Sequence, residues 1–278
     1  MKNILGIIGS PRKLGNSELC VKEISRNIRP AHQLNLIRLS DFQIASCRAC
    51  YQCLFNDVPC PLTDGLYAVV EQIAAADALI VAAPAYFLAP HSLLKRFIDR
   101  GLSFYAYIDQ LWGKPAVGVA VAGIDGREGH ALLGVQNFAK MVMADLKESR
   151  VIYGALPGEV FLNDDNKAIA CELGRSLFEP AKQKSTPHCN LCGGDTFRFL
   201  DHRTVRCMLC SNTGAFSMEG DKTILTISRG DHELILSKAD ALAHKKWLMG
   251  MKDRFIRDKQ KLKDIVIDYR KEGTWVKP

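Results

Sequence analysis

Short apolar runs that alternate with helical patterns constrain the first part of this chain more than any other feature. Residues 2–9 are apolar, rich in β-branched side chains and end at a glycine, which is typical of a buried parallel strand. Similar runs predict four more strands, at residues 33–39, 78–83, 116–122 and 151–155. Helical patterns lie between strands, near residues 18–28, 63–75, 92–103 and 130–143. The alternation predicts an α/β fold, a doubly wound, parallel five-stranded sheet with helices on both faces.

The loop after the first predicted strand has the composition of a phosphate site. It reads Gly-Ser-Pro-Arg-Lys-Leu-Gly-Asn-Ser from Gly9 to Ser17, and Ser17 is predicted to cap the next helix. Ligands bind beyond the carboxyl ends of parallel strands, where a helix N-terminus favours an anion. The spacing is neither Walker A nor Gly-x-Gly-x-x-Gly, which disfavours a nucleoside triphosphate or a dinucleotide. A terminal monophosphate such as that of FMN fits this short loop better, and an ordinary polar turn is the alternative.

Two further loops at the same predicted edge suit a flat ring. Residues 84–87, Pro-Ala-Tyr-Phe, place a rigid turn and two aromatic rings after the third strand. Residues 122–129 contain three glycines, whose backbone amides can approach a ring edge closely. Each loop alone is weak evidence, and the three together indicate a ligand site.

These motifs resemble the NADPH-dependent FMN reductase group of flavodoxin-like proteins. The resemblance rests on Gly-Ser-Pro-Arg-Lys-x-Gly-Asn-Ser, Pro-x-Tyr-Phe and Gly-Lys-Pro-Ala, and covers about residues 1–165. It implies that FMN is bound and that its phosphate is held by Ser10, Arg12, Asn16 and Ser17. It also implies contacts to the isoalloxazine ring from Pro84, Ala85, Tyr86, Phe87, Gly123, Asp125 and Gly126.

Four of the ten cysteines form a compact motif, C-x2-C-x2-C-x6-C. They are Cys47, Cys50, Cys53 and Cys60. One loop with this spacing can wrap a cubane iron–sulfur cluster, whereas a lone zinc is more often held by two separated pairs. A cluster is therefore favoured, and zinc or unligated thiols are the alternatives.

The compact motif is similar to that of iron–sulfur flavoproteins, a branch of the same group. There, C-x2-C-x2-C-x(4 to 7)-C holds a [4Fe–4S] cluster, and Ala49 stands where that branch usually has glycine. The resemblance implies a homo-oligomer, a dimer or tetramer, in which the cluster of one subunit lies close to the flavin of another.

Two C-x2-C pairs form a second motif, nearer the C-terminus. Its members are Cys189, Cys192, Cys207 and Cys210. A hairpin predicted from strands at residues 196–200 and 203–206 brings the pairs together as a metal ribbon. Structural zinc is favoured there, and rubredoxin-like iron is the alternative, because Gly193 follows the first pair as in one rubredoxin knuckle.

The C-terminal segment is basic and helical in pattern. A helix is predicted from Ser237, which forms a capping box with Asp240, and residues 245–277 contain 11 basic and five acidic residues. Such a helix attracts an acidic partner such as ferredoxin or a nucleic acid, or is only a solvated face. The small number of exposed aromatic residues expected beside the ribbon disfavours nucleic acid.

These features predict three units and one main function. The units are an FMN domain at 1–185 with a cysteine loop at 47–60, a ribbon at 186–230 and a basic helical tail at 231–278. The predicted function is an oxidoreductase that passes electrons between [4Fe–4S] and FMN, with ferredoxin or another redox protein as donor and without a catalytic acid or base. An NAD(P)H-dependent FMN reductase and a redox-sensing nucleic-acid regulator are the alternatives. With no apolar stretch long enough for a bilayer and no secretory leader pattern, a cytoplasmic location is predicted.

Overall fold

The computed structural model describes residues 1–55, 60–180, 184, 186–270 and 272–276. The first unit consists, in chain order, of β1 (Lys2–Ile8), α1 (Asn16–Arg26), β2 (His32–Arg38), α2 (Gln52–Phe55), α3 (Leu66–Ala75), β3 (Ala78–Tyr86), β4 (Ala89–Pro90), α4 (Ser92–Ile98), α5 (Ile108–Leu111), β5 (Pro115–Ala122), α6 (Ala131–Met141), β6 (Asp145–Tyr153) and α7 (Asp164–Ser176). Short 3-10 helices cover Leu39–Asp41, Gly101–Tyr107 and Glu159–Phe161.

The central sheet has the order β2-β1-β3-β5-β6, and these five strands are all parallel. The two-residue β4 pairs antiparallel with the end of β3. Apolar cores lie on both faces of the sheet, one beneath α3, α4 and α6 and the other beneath α1 and α7. The predicted doubly wound α/β fold is therefore confirmed. It could be predicted because its buried strands are continuous apolar runs in the sequence.

Two local predictions in this unit are wrong. Ser17 does not cap α1: the N-cap is Gly15, which makes no side-chain hydrogen bond, and Ser17 lies inside the helix. The last strand begins at Asp145 rather than Val151, because its first half is mostly polar and lies at the edge of the sheet, where no continuous apolar run marks it.

The second unit is an antiparallel sheet. Its strands are β7 (Phe197–Phe199), β8 (Thr204–Cys207), β9 (Thr213–Glu219) and β10 (Lys222–Ile227), in the order β10-β9-β8-β7. The predicted hairpin is present as β7 and β8, whereas the hairpin of β9 and β10 was not predicted. Leu133 of α6 packs against the small core of this sheet, so the two units are in contact.

A long helix, α8 (Lys238–Tyr269), follows the ribbon sheet. The predicted capping box is present, since Ser237 Oγ accepts a hydrogen bond from the Asp240 amide at 3.1 Å. Among the described residues of α8, only Ala241 is buried. The predicted boundary at residue 185 and the last two residues of the tail lie outside the described residues. None of the described helices combines the length and the apolarity needed to cross a bilayer.

Candidate functional site

A cavity of about 210 Å³ lies at the carboxyl edge of the sheet, where the predicted FMN loops meet. Its lining includes Ser10, Arg12, Asn16, Ser17, Pro84, Ala85, Tyr86 and Gly123. Ser10 and Ser17 are buried there, and Arg12 is exposed at its mouth. The first amides of α1 have no partner within the helix and add donors for an anion. Hydroxyls, amides and a guanidinium fit a phosphate monoester.

The phosphate loop is held in shape by Glu18. Its carboxylate accepts hydrogen bonds from the Leu14 amide at 2.9 Å, Lys22 Nζ at 2.6 Å and Arg38 Nη2 at 2.8 Å. Burial raises the pKa of Glu18, but these three donors outweigh it and lower the pKa to about 2. The ionised carboxylate thereby fixes Leu14, whose φ of 51° is unusual for a residue with a side chain.

Asn16 joins two walls of the cavity. Its Nδ2 donates to the carbonyl oxygens of Gly154 and Leu156, and its Oδ1 accepts from the Gly158 amide at 2.8 Å. The loop after β6 is therefore tied to the phosphate loop. Gly154, Ala155 and Pro157 of that loop line the cavity and were not predicted, although their place after the last strand was a usable signal.

The predicted ring contacts divide into two groups. Pro84, Ala85, Tyr86 and Gly123 line the cavity, whereas Phe87, Asp125 and Gly126 do not. Phe87 is fully exposed, in a turn where it and Leu88 have positive φ angles of 49° and 64°. Gly129 makes room for this turn, since a Cβ atom there would lie 2.2 Å from the Leu88 carbonyl oxygen.

A second cavity, of about 200 Å³, is lined by all four cysteines of the compact motif. We call these Cys47, Cys50, Cys53 and Cys60 the loop set. The loop follows β2 at the same edge of the sheet as the flavin cavity. Cys47 and Cys50 are exposed, and Cys53 and Cys60 are half-buried. Burial and, after it, the charges of Cys60 and Cys50 raise the pKa of Cys53.

Asp64 anchors the cysteine loop to the body of the first unit. Its carboxylate accepts from the Ala45 amide at 2.9 Å, the Leu66 amide at 3.1 Å and Arg100 Nη1 at 2.7 Å. Burial raises the pKa of Asp64, but the hydrogen bonds from Arg100 and the two amides lower it overall. The Cys60 amide donates to Tyr67 Oη at 2.6 Å, which fixes the other end of the loop.

The backbone of the cysteine loop is wound tightly between its ligands. Ala49 and Tyr51 have positive φ angles of 51° and 57°. The Ala49 amide donates to Cys47 Sγ at 3.4 Å. A glycine would adopt the Ala49 conformation at lower cost, which gives a physical reason for the glycine usual in the branch that the motif resembles.

The four ribbon cysteines are gathered closely enough for one metal ion. We call Cys189, Cys192, Cys207 and Cys210 the ribbon set. All four sulfur atoms lie within 4.8 Å of one another, with Cys189 and Cys210 at 3.8 Å and Cys192 and Cys207 at 3.5 Å. A tetrahedral zinc with Zn–S bonds of about 2.3 Å requires sulfur–sulfur distances of about 3.8 Å. The four sulfur atoms of the ribbon set are therefore close enough for one tetrahedrally coordinated ion.

Among the described residues, the loop sulfurs do not form such a close group. They line a cavity of about 200 Å³ instead, and their spacing within one loop is that of a cubane iron–sulfur site. The buried guanidinium of Arg100, which also lines the cavity, suits a group with net negative charge. The residues present thus fit an iron–sulfur cluster.

Comparison with known proteins identifies the family of the chain. A family model described as NADPH-dependent FMN reductase matches residues 2–155. An iron–sulfur flavoprotein of Archaeoglobus fulgidus is 34% identical over 98 residues, which cover 35% of this chain and 47% of that relative. The chain thus spans about half the length of that relative. Another from the same organism is 29% identical over 186 residues, covering 65% of this chain and 80% of the relative.

An iron–sulfur flavoprotein of Methanocaldococcus jannaschii is 26% identical over 191 residues, which cover 64% of this chain and 97% of that relative. Among solved structures, a flavone reductase has a TM-score of 0.76 at 19% identity and covers 99% of each chain. At that identity the likeness concerns the fold alone, and it extends over the ribbon and the tail. Since the family model covers more than half of its length, the chain belongs to the NADPH-dependent FMN reductase family and is an FMN-dependent oxidoreductase.

Proposed function

We propose that the chain passes electrons between a [4Fe–4S] cluster on the loop set and FMN in the cavity beside Ser10. The observation that carries this proposal is that the four loop cysteines line one cavity at the same sheet edge as the flavin cavity. The names of the iron–sulfur flavoproteins among its relatives support the same assignment. Such a pair converts between one-electron and two-electron chemistry.

The chain's own residues have binding and orienting roles in this proposal. Ser10, Arg12 and Ser17 bind the phosphate, and Asn16 holds the opposite wall of the cavity in place. The turn that contains Pro84 and Tyr86 orients the ring. When bound, FMN supplies a centre that exchanges one or two electrons. The transfer itself requires no side chain as acid or base.

For the ribbon set we propose one structural zinc. The sulfur–sulfur distances of 3.5 and 3.8 Å support a single tetrahedral ion. Iron in a rubredoxin-like role is the alternative, which Gly193 after the first knuckle favours and Ser211 after the second disfavours. Because the ribbon core contains few large apolar side chains, a bound metal would contribute much of its folding free energy.

The proposed partner is a one-electron redox protein such as ferredoxin. A cluster accepts one electron at a time, and the basic face of α8 attracts acidic proteins. We also propose a homo-oligomer, a dimer or tetramer, in which the exposed cysteine loop of one subunit faces the flavin of another. The units are proposed to be 1–185, 186–230 and 231–278. A cytoplasmic location is proposed because clustered metal-binding thiolates persist in a reducing compartment.

The test is electron transfer from reduced ferredoxin to the flavin in anaerobically purified protein. Cys50→Ser removes one loop ligand, and Cys171→Ser is the matched control, since Cys171 is half-buried on α7 outside both sets. We expect Cys50→Ser to lose its iron and to slow flavin reduction by at least tenfold, while Cys171→Ser behaves as the wild type. Flavin reduction at the wild-type rate without iron would contradict the proposal.

Steady-state oxidation of NADPH distinguishes the proposed ferredoxin-linked function from the alternative of an NAD(P)H-dependent FMN reductase. We expect NADPH to reduce the flavin much more slowly than ferredoxin does in the wild-type protein. Rapid NADPH oxidation that is equal in wild type and Cys50→Ser would favour the alternative instead.

A further inference from the structure

Arg100 is a buried cation at the wall of the loop-set cavity. It lies just after α4, its side chain is 1% exposed, and it lines the cavity together with the four loop cysteines. Arg48 and Asp99 also line this cavity, but Arg48 is exposed and Asp99 is paired with Lys95 near the surface. Arg100 is therefore the charge that solvent screens least.

One guanidinium nitrogen of Arg100 donates hydrogen bonds to the protein, and the other two do not. Nη1 donates to Asp64 Oδ2 at 2.7 Å and to the Ala45 carbonyl oxygen at 3.0 Å. Nε and Nη2 are buried, and among the described residues neither has a hydrogen-bond partner. An unsatisfied buried donor costs about 1–3 kcal/mol, and more when the group is charged. Such an arrangement leaves two donors for an acceptor that arrives with a ligand.

The acceptor that fits is anionic sulfur. Arginine remains protonated in proteins, so the guanidinium carries its positive charge beside the loop set. Cluster sulfurs and ligand thiolates accept hydrogen bonds, and these bonds are one of the means by which proteins set cluster potentials.

We propose that Arg100 donates hydrogen bonds from Nε and Nη2 to the sulfur atoms of the cluster held by the loop set, on the side of Cys60, and so raises its reduction potential. This inference rests on the proposed function. Reduction adds one negative charge to the cluster, and a fixed cation with two donors stabilises that charge. Asp64 holds the guanidinium in position and neutralises part of its charge.

The test is a potentiometric titration of the anaerobic holoprotein, followed by the paramagnetic resonance signal of the reduced cluster. Arg100→Gln removes the charge, and Arg100→Lys keeps the charge but loses the planar pair of donors. Arg48→Gln is the matched control, since it removes an exposed charge from the same cavity. We expect Arg100→Gln to shift the reduction equilibrium at least tenfold toward the oxidised cluster, which is 59 mV for a one-electron couple.

Arg100→Lys should shift the potential in the same direction by less, and Arg48→Gln by less than either. Potentials equal to the wild-type value in iron-loaded Arg100→Gln and Arg100→Lys would overturn the inference. If the wild-type protein bound no iron, the proposed function would fail instead, which separates the two outcomes.

A measurement on the wild-type protein covers the case in which Arg100 variants do not retain iron. Protein labelled with nitrogen-15 arginine is reduced, and pulsed paramagnetic resonance detects coupling of the cluster spin to guanidinium nitrogen. We expect a coupling that persists in Arg48→Gln. Its absence in the labelled wild type would overturn the inference without any variant.

Discussion

The two four-cysteine sets differ in the spacing and the burial of their cysteines. The sulfurs of the ribbon set lie within 4.8 Å of one another, and three of its four cysteines are buried. In the loop set, two cysteines are exposed, two are half-buried, and all four come from one stretch between Cys47 and Cys60. The ribbon set is thus shaped for one ion, and the loop set is shaped around a cavity.

The difference shows how a metal contributes to folding in each region. The ribbon has a core of few large apolar side chains, so its hairpins depend on the metal that joins them. The cysteine loop is attached through Asp64 and Tyr67 to a sheet that already has a large core. Loss of metal should therefore unfold the ribbon and leave the first unit folded.

The largest expected effect comes from removing one ligand of each set. Cys207→Ser should lose the ribbon metal, worth about 10–16 kcal/mol of apparent binding free energy in small zinc modules, and with it amide protection across β7 to β10. Cys50→Ser should lose iron but keep protection across β1 to β6. Hydrogen exchange and metal content measure both. A protected ribbon in Cys207→Ser, or a melted central sheet in Cys50→Ser, would show that the comparison is mistaken.

The phosphate loop differs from both cysteine sets, because a carboxylate rather than a metal holds it. The pKa of Glu18 is lowered from 4.5 to about 2, so its contribution is present above pH 4.5 and is lost as the pH falls toward 2. Glu18→Gln should cost about 3 kcal/mol of stability at neutral pH and weaken FMN binding. Urea unfolding at neutral pH and near pH 3 checks this. The variant should keep its iron and zinc, and should lose less stability on acidification than the wild type.

A smaller effect is expected from the turns that follow the two ribbon knuckles. Gly193 has a φ of 76° with open space around it, whereas Ser211 holds the matching position with a φ of 64°. Gly193→Ala should cost about 1–2 kcal/mol of backbone strain, and Ser211→Gly should stabilise by up to about 1 kcal/mol. The midpoint of thermal unfolding of the ribbon measures both. Changes of equal sign would contradict this reasoning.

The smallest effect is expected at Ala49 in the loop set. Because Ala49 is exposed with a φ of 51°, Ala49→Gly should leave the unfolding of the first unit unchanged. It should slow the release of iron to a chelator, since the loop keeps its ligand-bearing conformation at lower cost. Faster release would indicate that the strain at Ala49 does not oppose cluster binding.

The sequence predicted those elements whose pattern is local. The buried strands stood out because they are continuous apolar runs, and both cysteine motifs stood out by spacing. The hairpin of β9 and β10 was missed although Gly220 and Asp221 lie between two alternating runs, which is a hairpin signal. Its strands are half-exposed, so their apolar pattern is weak.

Side-chain contacts between residues far apart in the sequence could not be predicted from sequence patterns. Arg100 and Asp64 are 36 residues apart, and only the fold brings them together beneath the cysteine loop. Likewise, Asn16 has a place in a phosphate-binding loop by sequence, but its side chain holds Gly154 and Gly158 more than a hundred residues away. In both cases the residue type was readable and its partner was not.

The presence of a cubane cluster beside FMN is tested by the iron, zinc and flavin content and the Mössbauer spectra of anaerobically purified protein grown on iron-57. We expect about four irons per chain in a cubane cluster, about one zinc and about one FMN. Iron at one per chain or less, held in a single-ion tetrahedral site, would contradict it.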